Sequence, residues 1–307
     1  MEKNRIVVSG VNGFVGHHLA EKLHANNIEV IGIGTDQRAD EDVAPFLAEY
    51  RSADLTQMWP DIANTHAVIH LAGLAAVGPS FDDPQRSIDV NSSMVTHIGE
   101  YYLKQEHKPR VLIISSGAVY EPTEPMPLTE ASAVGFSSPY AVSKVLVENQ
   151  AAYYRQRGLD VVIARPFNHI GPGQKNGFIL PDLYGQLSEA RNNGETEIKV
   201  GNLDSRRDYT DVRDIVAAYA LLATAPNLVN TLYNVSSGTS SSGHEILHAL
   251  KDALKLNTIT TTVDPSKFRP TDAPNIIGDS SRLQDETGWQ PQYDLQQTIA
   301  DFVQSKS

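Results

Sequence analysis

The 307-residue chain has no cysteine, only 2 tryptophans, and fewer basic than acidic side chains, 25 against 37. Without cysteine there can be no disulfide, no thiolate nucleophile and no cysteine-bound zinc. The formal net charge of −12 offers no general attraction to nucleic acid, whose binding rests on basic phosphate contacts. An anionic ligand would need a local basic pocket set against the global sign. No apolar run approaches the ~18 residues that a membrane span needs. The opening Met1-Glu2-Lys3-Asn4-Arg5 leads straight into a short apolar strand, without the longer apolar stretch and cleavage site of a signal peptide. The expectation is a cytoplasmic protein with neither a membrane nor a nucleic-acid partner. The 10 histidines show no His-Glu-x-x-His or similar ligand spacing, so no metal is expected. Repeats, low-complexity tracts and heptads are also missing.

What is present is a recurring unit. Short runs rich in Val and Ile stand at residues 6–8, 28–33, 67–71, 111–114, 161–164 and 232–235. Continuous apolar runs of this length read as strands buried on both faces. Helical stretches lie between many of them, notably residues 14–24, 84–106 and 139–157. Strand alternating with helix predicts an α/β fold, a Rossmann-type doubly wound parallel sheet. After Gly171-Pro172-Gly173 the alternation breaks down, and Pro clusters between Pro265 and Pro274. A smaller α/β domain is therefore expected. Residues 1–168 with 209–238 would form the larger, sheet-bearing domain, and residues 169–208 with 239–307 the smaller one.

The first strand runs into Ser9-Gly10-Val11-Asn12-Gly13-Phe14-Val15-Gly16, which opens the first helix. In such a turn one glycine makes the bend, one lets the backbone approach a pyrophosphate, and one lets helix and strand pack closely. The helix N-terminus then favours the anion. An acid at the end of the second strand would hold the adenosine ribose hydroxyls and disfavour a 2′-phosphate. Gly34 stands there, which leaves room for a phosphate with Arg38 as its partner. Asp36 could instead serve the ribose of NAD. NADP(H) is therefore favoured, with NAD(H) the alternative. Asp54 and Leu55 would border the adenine, although Asp54 could equally cap a helix.

Tyr140 and Lys144 are four residues apart on a helix and so share a face. A cation beside a phenol favours the phenolate, the tuning a tyrosine needs for proton exchange near neutral pH. Pro139 suits the first turn of that helix. The buried run 111–114 ends in Ser115-Ser116, and a hydroxyl at the carboxyl end of a parallel strand lies where α/β sheets bind ligands.

The glycine turn, the strand-end serine and the Tyr-x-x-x-Lys pair, in this order, resemble the extended short-chain dehydrogenases/reductases, which act on nucleotide sugars. The resemblance implies that Ser116, or Ser115 as second choice, hydrogen-bonds the reacting carbonyl. Tyr140 would be the general acid/base and Lys144 the lysine on the cofactor ribose. Leu71, Ala72 and Gly73 match the strand end beside the cofactor, and Asn91 the asparagine of the central helix. His70 reads as a core histidine. Arg165-Pro166-Phe167-Asn168-His169-Ile170-Gly171-Pro172-Gly173-Gln174 is similar to reductases acting on GDP-4-keto-6-deoxy-D-mannose. So are the segments around Val200, Arg207 and Arg269. By that similarity Asn168, Arg207 and Arg269 would meet the pyrophosphate of the substrate, with Val200 nearby. Each arginine could instead sit in an ion pair with Asp208 or Asp272. His169 would be either a substrate contact or a buried turn residue.

The departures are informative. Dehydratases of this family carry an Asp-Glu pair where this chain has Gly117 and Ala118. The family's epimerase-reductases use a cysteine, which is absent here. Three readings remain: a 4-keto reductase, a 4-epimerase with tightly held NAD, and a sensor that binds NAD(P) without catalysis. The retained Ser116, Tyr140 and Lys144 argue against the sensor. The resemblance also implies a homodimer packed through the helices at 84–106 and 139–157.

Overall fold

Ile6 and Val8 point to one side of strand β1 (Arg5–Ser9) and Val7 to the other, and all three are fully buried. Such a strand needs cover on both faces. The computed structural model describes residues 4–62, 64–265 and 273–306 and supplies that cover. After β1 come α1 (Phe14–Ala25), β2 (Glu29–Gly34), β3 (Glu49–Ser52), β4 (Ala67–His70), α2 (Val77–Asp82), α3 (Pro84–Tyr102) and β5 (Arg110–Ile114). Then follow α4 (Pro139–Gln156), β6 (Val161–Pro166), β7 (Asn168–Ile170), α5 (Ile179–Asn193), β8 (Glu197–Val200), β9 (Arg206–Asp211), α6 (Val212–Thr224) and β10 (Leu232–Val235). The chain ends with β11 (Ser240–Ser242), α7 (Gly243–Leu254), β12 (Thr260–Val263), β13 (Asn275–Ile276), α8 (Ser281–Thr287) and α9 (Leu295–Gln304).

Seven strands form one sheet in the order β10-β6-β5-β4-β1-β2-β3, every pair parallel. This is a Rossmann-type, doubly wound α/β fold. One core joins Ile6, Val8, Ile69 and Leu112 to α1 and α6 through Leu19, Leu23, Ile215 and Tyr219. The opposite core joins Val7, Val68, Val111 and Ile113 to α3 and α4 through Ile98, Val147 and Tyr154. Chain direction across the sheet reverses between β1 and β4, and that crevice is where such sheets bind ligands.

All six apolar runs lie in strands of this sheet. The seventh strand, β3, reads Glu-Tyr-Arg-Ser and is only half-buried at the sheet edge, so it carries no apolar signature. The helix expected to reach residue 106 ends at Tyr102. Local chemistry sets the two helix starts that matter most. Asp83 accepts from the Arg86 N–H at 3.2 Å ahead of Pro84, and Ser138 accepts from the Ala141 N–H at 3.1 Å ahead of Pro139.

Beyond β6 every strand but β10 leaves the large sheet. β9 pairs with β7, β11 and β13, and β12 pairs with β8. Leu180, Leu187, Ile198, Leu250 and Phe302 form a third core here. β9 lies wholly in this smaller sheet, so the return to the large sheet begins at α6, not at residue 209. Among the described residues no helix is long and apolar enough to cross a membrane.

Candidate functional site

Gly10 has φ +73°, and a Cβ there would lie 2.9 Å from the Ala72 backbone nitrogen. A Cβ at Gly16 would lie 2.4 Å from the Gly10 carbonyl oxygen. Both positions therefore demand glycine, one for its conformation and one for the close approach of α1 to the turn. Gly13, Phe14 and Val15 lie between them at the start of α1. The Gly13 cap offers no side-chain acceptor to the first-turn N–H groups, which an anion at this end would satisfy. Asn12 links the turn to the loop after β2: its amide donates to Asp36 Oδ2 at 2.9 Å and accepts from the Asp40 N–H at 3.1 Å.

Over Gly34 the structure departs from the sequence reading. The space expected to take a phosphate holds the Tyr50 phenol, whose oxygen would lie 2.6 Å from a Cβ at position 34. Tyr50 comes from β3, the strand without an apolar signature, and donates to the Asp36 carbonyl at 3.0 Å. Burial and the Asp36 carboxylate raise its pKa. Arg38 follows in the same exposed loop, its carbonyl within 3.4 Å of the Asn12 amide. Asp54 is engaged locally, accepting from the Thr56 N–H and hydroxyl at 2.9 and 2.7 Å. Leu55 is core.

Leu71, Ala72 and Gly73 follow β4 at the crevice. The Ala72 N–H donates to Ser9 Oγ at 3.2 Å, and the same hydroxyl pairs with His70 Nδ1 at 2.7 Å. Burial, with Lys144 nearby, pushes the His70 pKa down to about 3, so the ring is neutral at ordinary pH. Asn91 accepts from the Leu74 N–H at 2.8 Å and donates to Ser143 Oγ at 2.9 Å, tying this loop to α4.

Ser116, Tyr140 and Lys144 come together where β5 ends against α4. The Ser116 hydroxyl, which accepts from the Ala118 N–H at 3.1 Å, is near enough to the Tyr140 phenol to oppose the effect of its burial. Ser115 turns the other way and donates to Glu148 Oε1 at 2.5 Å, which favours Ser116 as the carbonyl contact. Lys144 Nζ donates to the Ile114 carbonyl at 2.8 Å and lies 5.7 Å from the Tyr140 ring centre. Burial lowers the Lys144 pKa to about 8, with Glu148 opposing. Burial raises the Tyr140 pKa, with the Ser116 hydrogen bond opposing. The sequence reading had the lysine favouring the phenolate. In this arrangement the ammonium donates to a carbonyl, and desolvation raises the phenol's pKa.

The substrate-side residues are more scattered. Asn168 is exposed on β7. His169 stacks on Phe14 of the glycine turn, with ring centres 6.2 Å apart and planes 10° from parallel. Burial lowers its pKa. His18 of α1 pairs with the Pro172 carbonyl at 2.8 Å, so α1 and the 168–174 segment touch twice. Val200, expected near the substrate, has its side chain buried in the third core. Arg207 donates to the carbonyls of Arg206 and Ala273, both at 2.7 Å. Asp208 is buried and accepts from the Ser237 N–H and hydroxyl and the Gly238 N–H. Arg269 lies outside the described residues. Among the described residues no cluster of three or more His, Cys, Asp or Glu could hold a metal ion.

Sequence reasoning missed Tyr50, Glu148 and the Phe14–His169 stack. For Glu148 a signal existed: 140, 144 and 148 fall on one stripe of α4.

Comparison with known proteins follows the same lines. A family model described as GDP-mannose 4,6 dehydratase matches residues 7–302. A GDP-6-deoxy-D-mannose reductase from Pseudomonas aeruginosa is 33% identical, the match covering 96% of this chain and 94% of that protein. A UDP-glucose 4-epimerase from Pisum sativum is 27% identical over 97% of this chain and 94% of its own. The structure of RMD from Pseudomonas aeruginosa complexed with NADPH superposes with a TM-score of 0.84 at 29% identity, covering 99% of this chain and 98% of that one.

Proposed function

Because the chain belongs to the GDP-mannose 4,6-dehydratase family of extended short-chain dehydrogenases/reductases, we propose that it is an NAD(P)H-dependent nucleotide-sugar reductase. Its substrate is a nucleotide-linked 4-keto-6-deoxyhexose, GDP-4-keto-6-deoxy-D-mannose, and its product GDP-D-rhamnose. The observation that carries this reading is the convergence of Ser116, Tyr140 and Lys144 at the sheet's carboxyl edge, beside the crevice between β1 and β4.

The residues present fit a dinucleotide. Gly10 and Gly16 form a cradle that any Cβ would fill, and the uncapped start of α1 suits a pyrophosphate. Leu71, Ala72 and Gly73 would border the same ligand, and Lys144 would hold its ribose. When bound, the reduced nicotinamide supplies the hydride. Ser116 hydrogen-bonds the C4 carbonyl oxygen of the sugar, and Tyr140 delivers the proton to it. Asn168, His169, Arg207 and Arg269 hold the nucleotide, guanidinium forks matching phosphate oxygens.

Two features favour reduction over its neighbours in the family. Gly117 stands where dehydratases carry an acid, and a Cβ there would lie 3.1 Å from the Phe167 ring, leaving little room for a side chain. The 33% identity to a GDP-6-deoxy-D-mannose reductase, against 27% to a UDP-glucose 4-epimerase, supports reduction over epimerisation.

NADPH is the preferred cofactor in this reading. With Tyr50 filling the space over Gly34, Arg38 would meet the phosphate from the exposed loop outside it, and the NADPH complex of RMD supports the preference. We assign the reaction to the cytoplasm, where nucleotide sugars and reduced nicotinamides meet. The working unit is a homodimer through α3 and α4, where Leu146 and Tyr153 expose apolar surface one heptad apart on α4.

The test is a coupled pair of assays on the purified protein. With NADPH and GDP-4-keto-6-deoxy-D-mannose, one NADPH is expected to be consumed per sugar reduced. Interconversion of UDP-glucose and UDP-galactose without net change in cofactor would overturn the reading in favour of an epimerase.

A further inference from the structure

Behind the Tyr140–Lys144 pair lies a buried ion pair with no part in hydride or proton transfer. Glu148 stands one turn beyond Lys144 on α4. Arg165 of β6 grips it with two hydrogen bonds, Nε to Oε1 at 2.8 Å and Nη2 to Oε2 at 2.6 Å. The side chains are only 4% and 12% exposed. The guanidinium lies 4.7 Å over the Tyr120 ring, and the Tyr120 hydroxyl donates to Asn234 at 2.6 Å. Burying such a pair costs desolvation that an apolar pair of similar volume would avoid, so stability alone is a poor reason for it.

Its connections supply a better one. Ser115 donates to Glu148 Oε1 at 2.5 Å. On one side of Ser115 is Ile114, whose carbonyl receives the Lys144 ammonium at 2.8 Å. On the other is Ser116, the hydroxyl next to the Tyr140 phenol. We infer that Glu148 is a positioning residue: clamped by Arg165, it locks residues 114–116 through Ser115 and presents its charge to Lys144. This inference rests on Tyr140 and Lys144 being the reacting pair.

Few other charges compete. Lys144 faces Tyr140 and Glu148 from its own helix, and His70 from β4, which burial holds neutral with a pKa near 3. Arg165 acts from β6 across Glu148, and Arg155 also feels Glu148 from further along α4. Tyr219 of α6 lies beside Tyr140, and burial raises its pKa.

The test uses opposite signs. The full-length protein is labelled at lysine Cε with ¹³C, and the Lys144 resonance is assigned by its loss in Lys144→Met. Titration follows by NMR with no sugar present, so it stands whichever nucleotide sugar is the substrate. Glu148→Gln removes the negative charge and is expected to move the Lys144 titration down by about one pH unit. Arg165→Gln removes the positive charge and is expected to move it up. A purely structural pair would give shifts of one sign or none, and either result would overturn the inference. If these variants fail to fold, two milder ones decide. Glu148→Asp keeps the charge and is expected to hold the titration in place; a fall as large as that expected for Gln would overturn the charge role. Ser115→Ala keeps the ion pair and is expected to lower kcat several-fold without moving the titration; an unchanged kcat would overturn the strand lock.

Discussion

The Lys144 ammonium stands 5.7 Å from the centre of the Tyr140 ring, one turn along α4, while its hydrogen bond goes to the Ile114 carbonyl. The phenol is left buried, which raises its pKa, with Ser116 as the neighbour that opposes the rise. Replacing Tyr140 by Phe removes the proton donor and little else. Turnover is expected to fall by roughly 10²–10⁴-fold, the usual worth of a positioned acid. NADPH binding, followed by nicotinamide fluorescence, is expected to survive. Unchanged turnover would remove Tyr140 from the mechanism.

His70 makes stability depend on acid. Its folded pKa, near 3, lies below its ordinary value of 6.5 because the ring is buried. The unfolded chain therefore binds the proton first as pH falls. The stability this group contributes is complete above about pH 6.5 and is lost progressively toward pH 3. Urea unfolding at pH 7 and pH 5 is expected to show a smaller loss in His70→Asn than in the parent. Equal losses would contradict the buried neutral ring.

Gly16 packs α1 against the phosphate turn with no space for a methyl group. Gly16→Ala is expected to destabilise the fold by ~1–3 kcal/mol, the usual cost of overpacking, and to weaken NADPH binding with it. Thermal unfolding and a fluorescence titration check the two effects together. A variant with the parent's melting temperature and affinity would contradict the close approach.

If Arg38 meets the 2′-phosphate as proposed, it separates the two cofactors. A charge-assisted hydrogen bond is worth ~1.5–3 kcal/mol, so Arg38→Ala is expected to raise the KM for NADPH about ten- to a hundredfold. The KM for NADH, which lacks the 2′-phosphate, is expected to stay within about twofold, because surface substitutions away from a ligand typically change little. Equal effects on both would remove Arg38 from the phosphate site.

The large sheet was legible because six of its seven strands carry continuous apolar runs, the pattern that burial on both faces imposes. β3 was not, since Glu49 to Ser52 form a half-exposed edge where polar residues are tolerated. With β3 went Tyr50, and so the true contents of the space over Gly34. The smaller sheet was illegible for a related reason: β7 and β9 pair through Asn168-His169-Ile170 and Tyr209-Thr210-Asp211, short polar segments with no period to read. At the candidate site, order along the chain brought out Ser116, Tyr140 and Lys144. The choice between Ser115 and Ser116 needed side-chain direction, since neighbours on extended chain point to opposite sides. Glu148 lay open in the spacing of α4, but its meaning depends on Arg165, which only the fold brings beside it.

The central claim is that hydride reaches C4 of a nucleotide-linked 4-keto sugar at this centre. It is tested most directly with NADPH carrying deuterium at the transferable position, mixed with GDP-4-keto-6-deoxy-D-mannose and the purified protein. NMR of the product is expected to show one deuterium, at C4, and its coupling pattern to identify the rhamno configuration. A product with no deuterium at C4, or an unreduced sugar beside unchanged NADPH, would contradict it.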